Sequence, residues 1–138
     1  MSAELPAPVP AVDPETQVFW DATAEGRLLL SYCKVCQQAF WYPRSHCPDC
    51  GTDQVEWLEA SGRGTIYSYT PQTRIGGDYS SVDELILAYV ELDEGPMVMT
   101  NIVDFDPDQL TIGQAVEVTF HDTGEGSALY RFRPVNPA

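Results

Sequence analysis

The alternation of hydrophobic and polar residues beyond Val55 predicts a series of short strands. Apolar positions recur at about every second residue in segments that Gly, Pro and Asp residues separate, which is the period of a half-buried strand. Five or six such strands without intervening helices fit a small closed barrel such as an OB-fold. The candidate strands are residues 55–61, 64–73, 85–92, 97–103, 115–121 and 128–133.

The first 26 residues follow a different pattern. Residues 1–12 are rich in Pro and Ala, and we expect a flexible or partner-docked arm. The following Asp13-Pro14-Glu15 combines an N-cap, a proline and an acid in the order of a helix start. The pattern predicts a helix from about Pro14 to Glu25, which Gly26 ends.

The apolar residues of this predicted helix form a short stripe. Val18, Phe19 and Ala22 lie at helical spacing, whereas Trp20 lies off the stripe. Two interpretations of Trp20 stay open, partial burial against the following segment and contact with a partner.

The four cysteines of the chain stand in two CxxC pairs. They are Cys33-Lys-Val-Cys36 and Cys47-Pro-Asp-Cys50, with ten residues between the pairs. Two facing CxxC turns supply four thiolates for a tetrahedral metal, with zinc–sulfur bonds of about 2.3 Å. Short predicted strands at 27–32 and 39–42 each lead towards one pair, so a structural zinc ribbon is predicted. A metal with four protein ligands has no open position for substrate.

Iron binding, disulfide formation and redox chemistry are the other uses open to four cysteines. A rubredoxin-like iron site needs the same four thiolates, so ligand count does not separate iron from zinc. Disulfides require an oxidising compartment, and the N-terminal sequence has neither the basic region nor the apolar run of a signal peptide. We therefore expect a cytoplasmic protein. A thioredoxin-type CxxC stands alone, whereas these two are paired.

These patterns predict a mainly β chain in three parts. Residues 1–26 are the N-terminal arm and helix, residues 27–54 the zinc ribbon, and residues 55–138 the OB-fold. We expect Phe40, Trp41 and Tyr42 to form the miniature core of the ribbon, since so small a module can bury little else.

Charge and the length of the apolar segments argue against two classes of partner. The formal net charge is −14, and residues 75–125 hold twelve acidic and no basic side chains. Nucleic-acid binding depends on cations that neutralise phosphates, so we expect no nucleic-acid partner. No apolar stretch approaches the roughly 20 residues of a membrane span, and no membrane partner is expected.

No catalytic constellation is evident. The two histidines, His46 and His121, lie in no motif for nucleophilic or acid–base catalysis. The loop 75–84 is long for a hairpin connection, and its Tyr79 is either a binding residue or part of a solvated loop. We expect that the chain is not an enzyme by itself.

The motifs taken in order resemble a known family. They include Phe19-Trp20, the two CxxC pairs, Tyr42-Pro-Arg44, the run from Ser61 to Thr70, and Phe132-Arg-Pro134. Together they resemble a bacterial and archaeal family in which a rubredoxin-like zinc ribbon precedes an OB-fold, long classed as a domain of unknown function. The resemblance covers residues 13 to 135.

The resemblance implies a role in acyl-CoA metabolism. Members of this family accompany thiolase-superfamily or hydratase enzymes, and some partner a thiolase-fold aldolase in steroid side-chain degradation. The resemblance also implies that the chain is a non-catalytic accessory subunit in a hetero-oligomer with a thiolase, an aldolase or a hydratase. This subunit is expected to stabilise its partner and to help bind or channel acyl-CoA. The alternative from another class is a single-stranded nucleic-acid module, in which Tyr67 and Tyr69 would stack bases.

An acyl-CoA ligand would need guanidinium groups for its phosphates. Arginine binds phosphate bidentately, and the candidates are Arg44, Arg63 and Arg74. Pairing of these arginines with the many carboxylates of the chain is an equally open interpretation. For the partner enzyme, we expect contacts from the aromatic residues of the ribbon and from the loop 75–84. The candidates are Trp20, Trp41, Tyr42, Trp57, Tyr79 and the arm.

Overall fold

A computed structural model describes residues 5–135, and the eight strands within this range form two sheets. Residues 1–4, which include the start of the predicted arm, and residues 136–138 lie outside the described residues. The elements are α1 (Gln17–Ala24), β1 (Leu29–Cys33), β2 (Gln38–Phe40), β3 (Val55–Glu59), β4 (Arg63–Gln72), a 3-10 turn (Gly77–Tyr79), β5 (Leu85–Leu92), β6 (Met97–Ile102), β7 (Ala115–Asp122) and β8 (Ala128–Pro134).

Strands β4 to β8 close into a barrel in the order β4-β5-β6-β8-β7. All pairs are antiparallel except β6 with β8, and the five-stranded closed form is that of an OB-fold. This confirms the predicted fold class: mainly β, with an N-terminal helix, a zinc ribbon and an OB-fold barrel.

The first barrel strand, β4, is ten residues long and passes very close to β5 at its start. At Gly64 an added Cβ would lie 2.5 Å from the carbonyl oxygen of Glu91 on β5, so only glycine permits this approach of two backbones. A bulge between Ile66 and Ser68 adds further bend to β4.

The ribbon sheet has the order β2-β1-β3. Strand β3 pairs with β1 from Leu29–Glu59 to Cys33–Val55, although the sequence analysis assigned residues from 55 onward to the OB-fold. The boundary at residue 54 is therefore wrong, and the ribbon continues to Glu59. Alternation reveals a strand without revealing its partner, and a two-stranded ribbon gains stability from a third strand.

The interior of the barrel is a dense apolar core. Its buried residues come from all five barrel strands: Ile66, Ile86, Ala88, Val90, Leu92, Val98, Ile102, Val116 and Phe132. Alternate residues of β5 and β6 point inward, which explains why the period of two located these strands well.

The helix starts later than predicted. The Asp13 carboxylate accepts hydrogen bonds from the Thr16 backbone N–H and hydroxyl group, both at 2.9 Å, and this turn delays the helix to Gln17. The predicted stripe is also wrong at Val18, which is exposed. The other two residues of the stripe, Phe19 and Ala22, are buried as predicted. Trp20 is buried as well, although it was placed off the stripe, because the two large rings occupy the face towards the barrel and ribbon.

Helix α1 is attached to the barrel by a buried threonine. The Thr23 hydroxyl donates to the Trp20 carbonyl at 2.6 Å and accepts from the Ala128 N–H at 3.0 Å. The backbone N–H of Ala128, the first residue of β8, is therefore hydrogen-bonded inside the protein, where an unpaired donor would be unfavourable.

An aromatic cluster joins helix, ribbon and barrel. The Phe19 ring is fully buried and packs edge-on against four other rings, with centroid distances from 4.9 to 5.9 Å. Its neighbours are Trp20, Trp41, Tyr42 and Tyr130.

The miniature ribbon core is therefore smaller than predicted. Only Phe40 packs with the cysteines Cys33 and Cys47, whereas Trp41 and Tyr42 pack against the main core. These two rings are shared with the barrel because the ribbon alone offers too little surface to cover them.

Candidate functional site

The two CxxC turns bring the four cysteines of the chain into one cluster. The sulfur atoms of Cys33, Cys36, Cys47 and Cys50 all lie within 4.8 Å of one another. Cys33 ends strand β1, and the other three lie in the turns around it. Among the described residues, no other group of three or more His, Cys, Asp or Glu residues is arranged to hold a metal.

The sulfur spacing suits a tetrahedral metal. The Cys33–Cys50 sulfurs are 3.7 Å apart and the Cys36–Cys47 sulfurs are 4.0 Å apart. A regular tetrahedron with metal–sulfur bonds of about 2.3 Å requires sulfur separations of about 3.8 Å. The donor set therefore fits zinc, and it fits a rubredoxin-like iron equally well.

The backbone of both turns is shaped for thiolate ligands. The Cys36 N–H donates to the Cys33 sulfur at 3.2 Å, and the Asp49 N–H donates to the Cys47 sulfur at 3.4 Å. Each turn is followed by a residue of positive φ, Gln37 at 56° and Gly51 at 76°. At Gly51 this conformation carries no steric cost, because glycine has no Cβ.

The thiols influence one another strongly. Backbone N–H groups of Cys50 and Asp49 lower the pKa of Cys47 to about 7. Hydrogen bonds with Cys50 and Cys33 raise the pKa of Cys36 to about 12. Four thiols at this separation cannot all ionise without a cation, so the cluster favours a bound metal.

Neither histidine contributes to this cluster. The exposed His46 ring lies 3.3 Å from the Ser45 hydroxyl, and His121 is located on β7, in the barrel. Four thiolates leave a tetrahedral metal no open position, so the cluster is suited to stabilising the ribbon rather than to activating water.

A buried arginine on the barrel contacts both the N-terminal arm and the loop 75–84, and the sequence pattern did not predict its burial. Arg131 on β8 is only 1% exposed. Its guanidinium contacts the His121 Nδ1 at 2.7 Å and donates to the Pro6 carbonyl at 2.7 Å and the Tyr79 hydroxyl at 2.8 Å. Burial lowers the pKa of Arg131. A single side chain thus ties the arm and the loop 75–84 to the barrel wall.

The sequence predicts the position of Arg131 on its strand but not its burial. The alternation in β8 places Arg131 and Arg133 on the same side of the strand. Arg133 is exposed and pairs with Glu117 at 3.1 Å, as expected for such a face. Only the tertiary structure shows that the arm and the loop cover Arg131.

The arm and the loop border a cavity of about 800 Å³. Its apolar wall includes Leu5, Val82, Ile86 and Phe105, and its polar residues include four carboxylates. These carboxylates belong to Asp83, Glu84, Asp104 and Asp122.

The three arginines proposed for phosphate binding lie apart. Arg63 starts β4 and its guanidinium lies 4.0 Å from Glu117, while Arg74 follows the other end of that strand. Arg44 lies in the ribbon and borders a groove that also holds Asp13 and Glu15. All three are exposed, and phosphate binding by them stays a prediction.

Of the aromatic residues expected to meet a partner, few are free to do so. Trp20 is buried, and its indole N–H donates to the Tyr42 hydroxyl at 3.1 Å. Trp41 packs edge-on against Tyr130. Trp57 on β3 is 39% exposed and is the member of the set that remains available. The one described helix is too short to cross a membrane.

Two family models match successive parts of the chain. Residues 20–56 match the rubredoxin-like zinc ribbon domain of ChsH2, and residues 57–121 match the C-terminal OB-fold domain of ChsH2. The two matches meet within strand β3.

Curated relatives carry two kinds of name. The chain is 34% identical over 111 residues to a "DUF35 domain-containing scaffold protein" of Methanothermobacter thermautotrophicus, covering 75% of this chain and 84% of the relative. It is 30% identical over 135 residues to a "Probable enoyl-CoA hydratase alpha subunit" of Thermomonospora curvata, covering 94% of this chain. The chain spans only 40% of that hydratase subunit.

Solved structures share the fold over most of the chain. A chain of the "Ltp2-ChsH2(DUF35) aldolase" superposes with a TM-score of 0.79 at 29% identity, covering 91% of this chain and 98% of that one. A DUF35 protein of unknown function from Sulfolobus solfataricus superposes with a TM-score of 0.62 at 14% identity, covering 90% of this chain and 87% of that one, and shows the fold alone. The chain therefore belongs to the DUF35 family, in which a rubredoxin-like zinc ribbon of the ChsH2 type precedes an OB-fold.

Proposed function

We propose that this chain is a non-catalytic subunit of an acyl-CoA-processing complex, docked on a thiolase-superfamily thiolase or aldolase. The observation that carries the proposal is the match to the Ltp2-ChsH2(DUF35) aldolase, which includes ribbon and barrel together. The subunit stabilises its partner and helps to bind or channel the acyl-CoA, in steroid or other lipid side-chain degradation.

The chemistry of the side chains supports a non-catalytic role. The only metal-type cluster in residues 5–135 is the set of four thiols, and we assign it to a structural zinc. The His121 Nδ1 accepts a hydrogen bond from the buried Arg131 guanidinium at 2.7 Å, so this nitrogen is already engaged within the chain. Catalysis in the complex is then the task of the partner.

Direct contact with the CoA phosphates is a separate part of the proposal. We assign this role to Arg44, Arg63 and Arg74. Since the three lie apart, each would meet a different part of the complex. The test is acyl-CoA affinity of the assembled complex after reversal of each charge to Glu, alone and together. Lys34→Glu with Arg133→Glu is the control, because it changes net charge in the same direction. Unchanged affinity in the triple variant leaves a purely scaffolding role.

A hydratase-associated subunit is the second candidate function. The 30% identity to the hydratase alpha subunit of Thermomonospora curvata favours it. The two candidates differ in the enzyme that the chain binds. A single-stranded nucleic-acid module is the third, and it is disfavoured because Tyr69 is half-buried and donates to the Leu110 carbonyl at 3.2 Å.

Co-expression separates these candidates. The full chain is expressed with each thiolase-superfamily enzyme and each hydratase subunit of its native organism, and the mixtures are resolved by size exclusion with light scattering. Joint elution with a thiolase or an aldolase is expected. Joint elution with a hydratase alone favours the second candidate, and the absence of any joint peak contradicts both.

A further inference from the structure

One wall of the barrel exposes large apolar side chains. Along β5 and β6, alternate residues fill the core, while those between them point outward. On the outward side, Tyr89 is 42% exposed, Met97 39% and Met99 48%. Tyr67 on the adjacent strand β4 is 54% exposed. We call these four residues the barrel-wall patch.

The strand register makes the patch continuous. Tyr89 and Met99 are direct cross-strand partners, which places their Cβ atoms about 5 Å apart on the same face. Met97 follows on that face of β6. In β4, Ile66 pairs with Val90 and Ser68 pairs with Tyr89, so Tyr67 is the extra residue of the bulge between them. Tyr67 therefore lies beside Tyr89.

The composition of the patch is that of a protein interface. Tyrosine and methionine are enriched at interface centres, and methionine adapts its shape to a partner surface. Contiguous exposed apolar surface on a small domain commonly marks an interaction site. The second and third strands of an OB-fold barrel, here β5 and β6, also form the face on which such barrels bind ligands.

The charges around the patch select the kind of ligand. Glu91 is exposed on the same face and is the cross-strand partner of Met97. Asp93 and Glu94 follow in the connection to β6, within the segment 75–125 that lacks Lys and Arg. An acidic border repels nucleic-acid phosphates and anionic lipids. It complements a protein surface that carries Lys or Arg.

We infer that the barrel-wall patch is the docking surface for the partner enzyme, and that it meets an apolar area bordered by Lys and Arg residues. This inference rests on the proposed function, because it specifies where the accessory subunit binds. A second copy of the chain is a poorer occupant, since it would place two acidic segments against each other.

A double variant tests the patch directly. Tyr89→Ser with Met99→Ser removes its centre, and the Kd for the co-eluting enzyme should rise about 30-fold or more. The matched control is Val18→Ser with Val35→Ser, whose side chains are 48% and 57% exposed on the helix and ribbon. The control should change the Kd less than about threefold. The opposite ranking places the interface at the ribbon and overturns the inference.

Methionine oxidation supplies a readout on the unmodified protein. Dilute peroxide should convert exposed Met97 and Met99 to sulfoxides in the free chain, and complex formation should slow both reactions at least about tenfold if the interface buries them. Equal oxidation rates in the free and the bound chain contradict the inference. Because this experiment uses the wild-type chain, its result does not depend on the stability of the variants.

Charge reversal tests the basic border of the partner. Glu91→Lys should weaken binding about tenfold and reduce the dependence of Kd on salt, whereas Glu125→Lys in the β7–β8 connection should do neither. Identical behaviour of the two variants argues against a basic border.

The remaining outcomes identify other occupants. A homodimer, or oligonucleotide binding, that the Tyr89/Met99 double variant abolishes would also overturn the inference. If no enzyme binds the wild-type chain, the proposed function itself fails. If an enzyme binds the wild type and the double variant equally, only the location is wrong.

Discussion

The Arg131 guanidinium donates a hydrogen bond to the Tyr79 hydroxyl at 2.8 Å, although the two residues are 52 positions apart. The Arg131 side chain also lies over the Tyr79 ring, 6.0 Å from its centroid. Through the Pro6 carbonyl the same guanidinium holds the N-terminal arm. The loop 75–84 and the arm are thereby fixed on the barrel by one buried cation.

Replacing this cation should release the loop locally. Hydrogen bonds to charged groups contribute about 1.5–3 kcal/mol each, so Arg131→Met should raise the opening equilibrium of the loop roughly ten- to hundredfold. Amide exchange at Ser80 and Val82, whose N–H groups bond within this loop, measures the change.

Arg133→Met is the matched control, because Arg133 is exposed and pairs only at the surface with Glu117. It should leave exchange in the loop unchanged. Equal exchange in both variants would show that Arg131 does not hold the loop.

The thiol cluster should contain one zinc per chain, as measured by mass spectrometry of untagged protein. Cys47→Ser should lower the metal content and loosen the ribbon, since metal-binding free energy at such sites is also folding free energy. Amide exchange should rise across residues 27–59 and change little in the barrel core. A ferric-thiolate absorption spectrum would instead identify iron. Purified protein without bound metal would contradict the assignment of a metal site.

The aromatic cluster should dominate the stability of the helix–barrel junction. Phe19→Ala removes a fully buried ring in contact with four others, and should lower the free energy of unfolding by about 3–5 kcal/mol. The adjacent Val18→Ala changes an exposed side chain and should have an effect within about 0.5 kcal/mol. Chemical denaturation compares the two variants, and similar midpoints would contradict the described packing.

The isolated chain should not bind single-stranded nucleic acid appreciably. With the acidic segment 75–125 and Tyr69 half-buried, we expect no affinity tighter than about 100 μM at physiological salt. Fluorescence anisotropy with labelled oligonucleotides measures this. A micromolar Kd would restore the nucleic-acid module as the leading function.

The barrel strands and the metal cluster were predictable because both depend on local patterns. The bounds of β5 agree with the predicted segment 85–92, since one face is buried and the period of two is clear. The CxxC spacing likewise determines which sulfurs can meet.

The long-range relationships were not predictable. Strand β3 alternates like a barrel strand but pairs with β1, and no local pattern identifies a strand's partner. The buried face of α1 includes Trp20 and Thr23 but not Val18, because the ribbon and barrel cover a face that is rotated away from the predicted apolar stripe. The burial of Arg131 depends on an arm 125 positions away in sequence.

The sequence alone is enough to predict which residues of β5 and β6 point outward. Alternation alone places Tyr89, Met97 and Met99 opposite the core residues Val90 and Val98. The sequence pattern instead favoured an interface at the aromatic residues of the ribbon. The structure shows that Trp41 and Tyr42 are engaged within the chain.

The most direct test of the accessory-subunit role is the specific activity of the co-eluting thiolase or aldolase with and without this chain. The enzyme is expressed alone and together with the chain, and its soluble yield and turnover of acyl-CoA substrate are compared. We predict that yield and activity fall when the chain is omitted, and that the purified chain alone turns over no substrate. An enzyme that is soluble and fully active by itself would contradict the account.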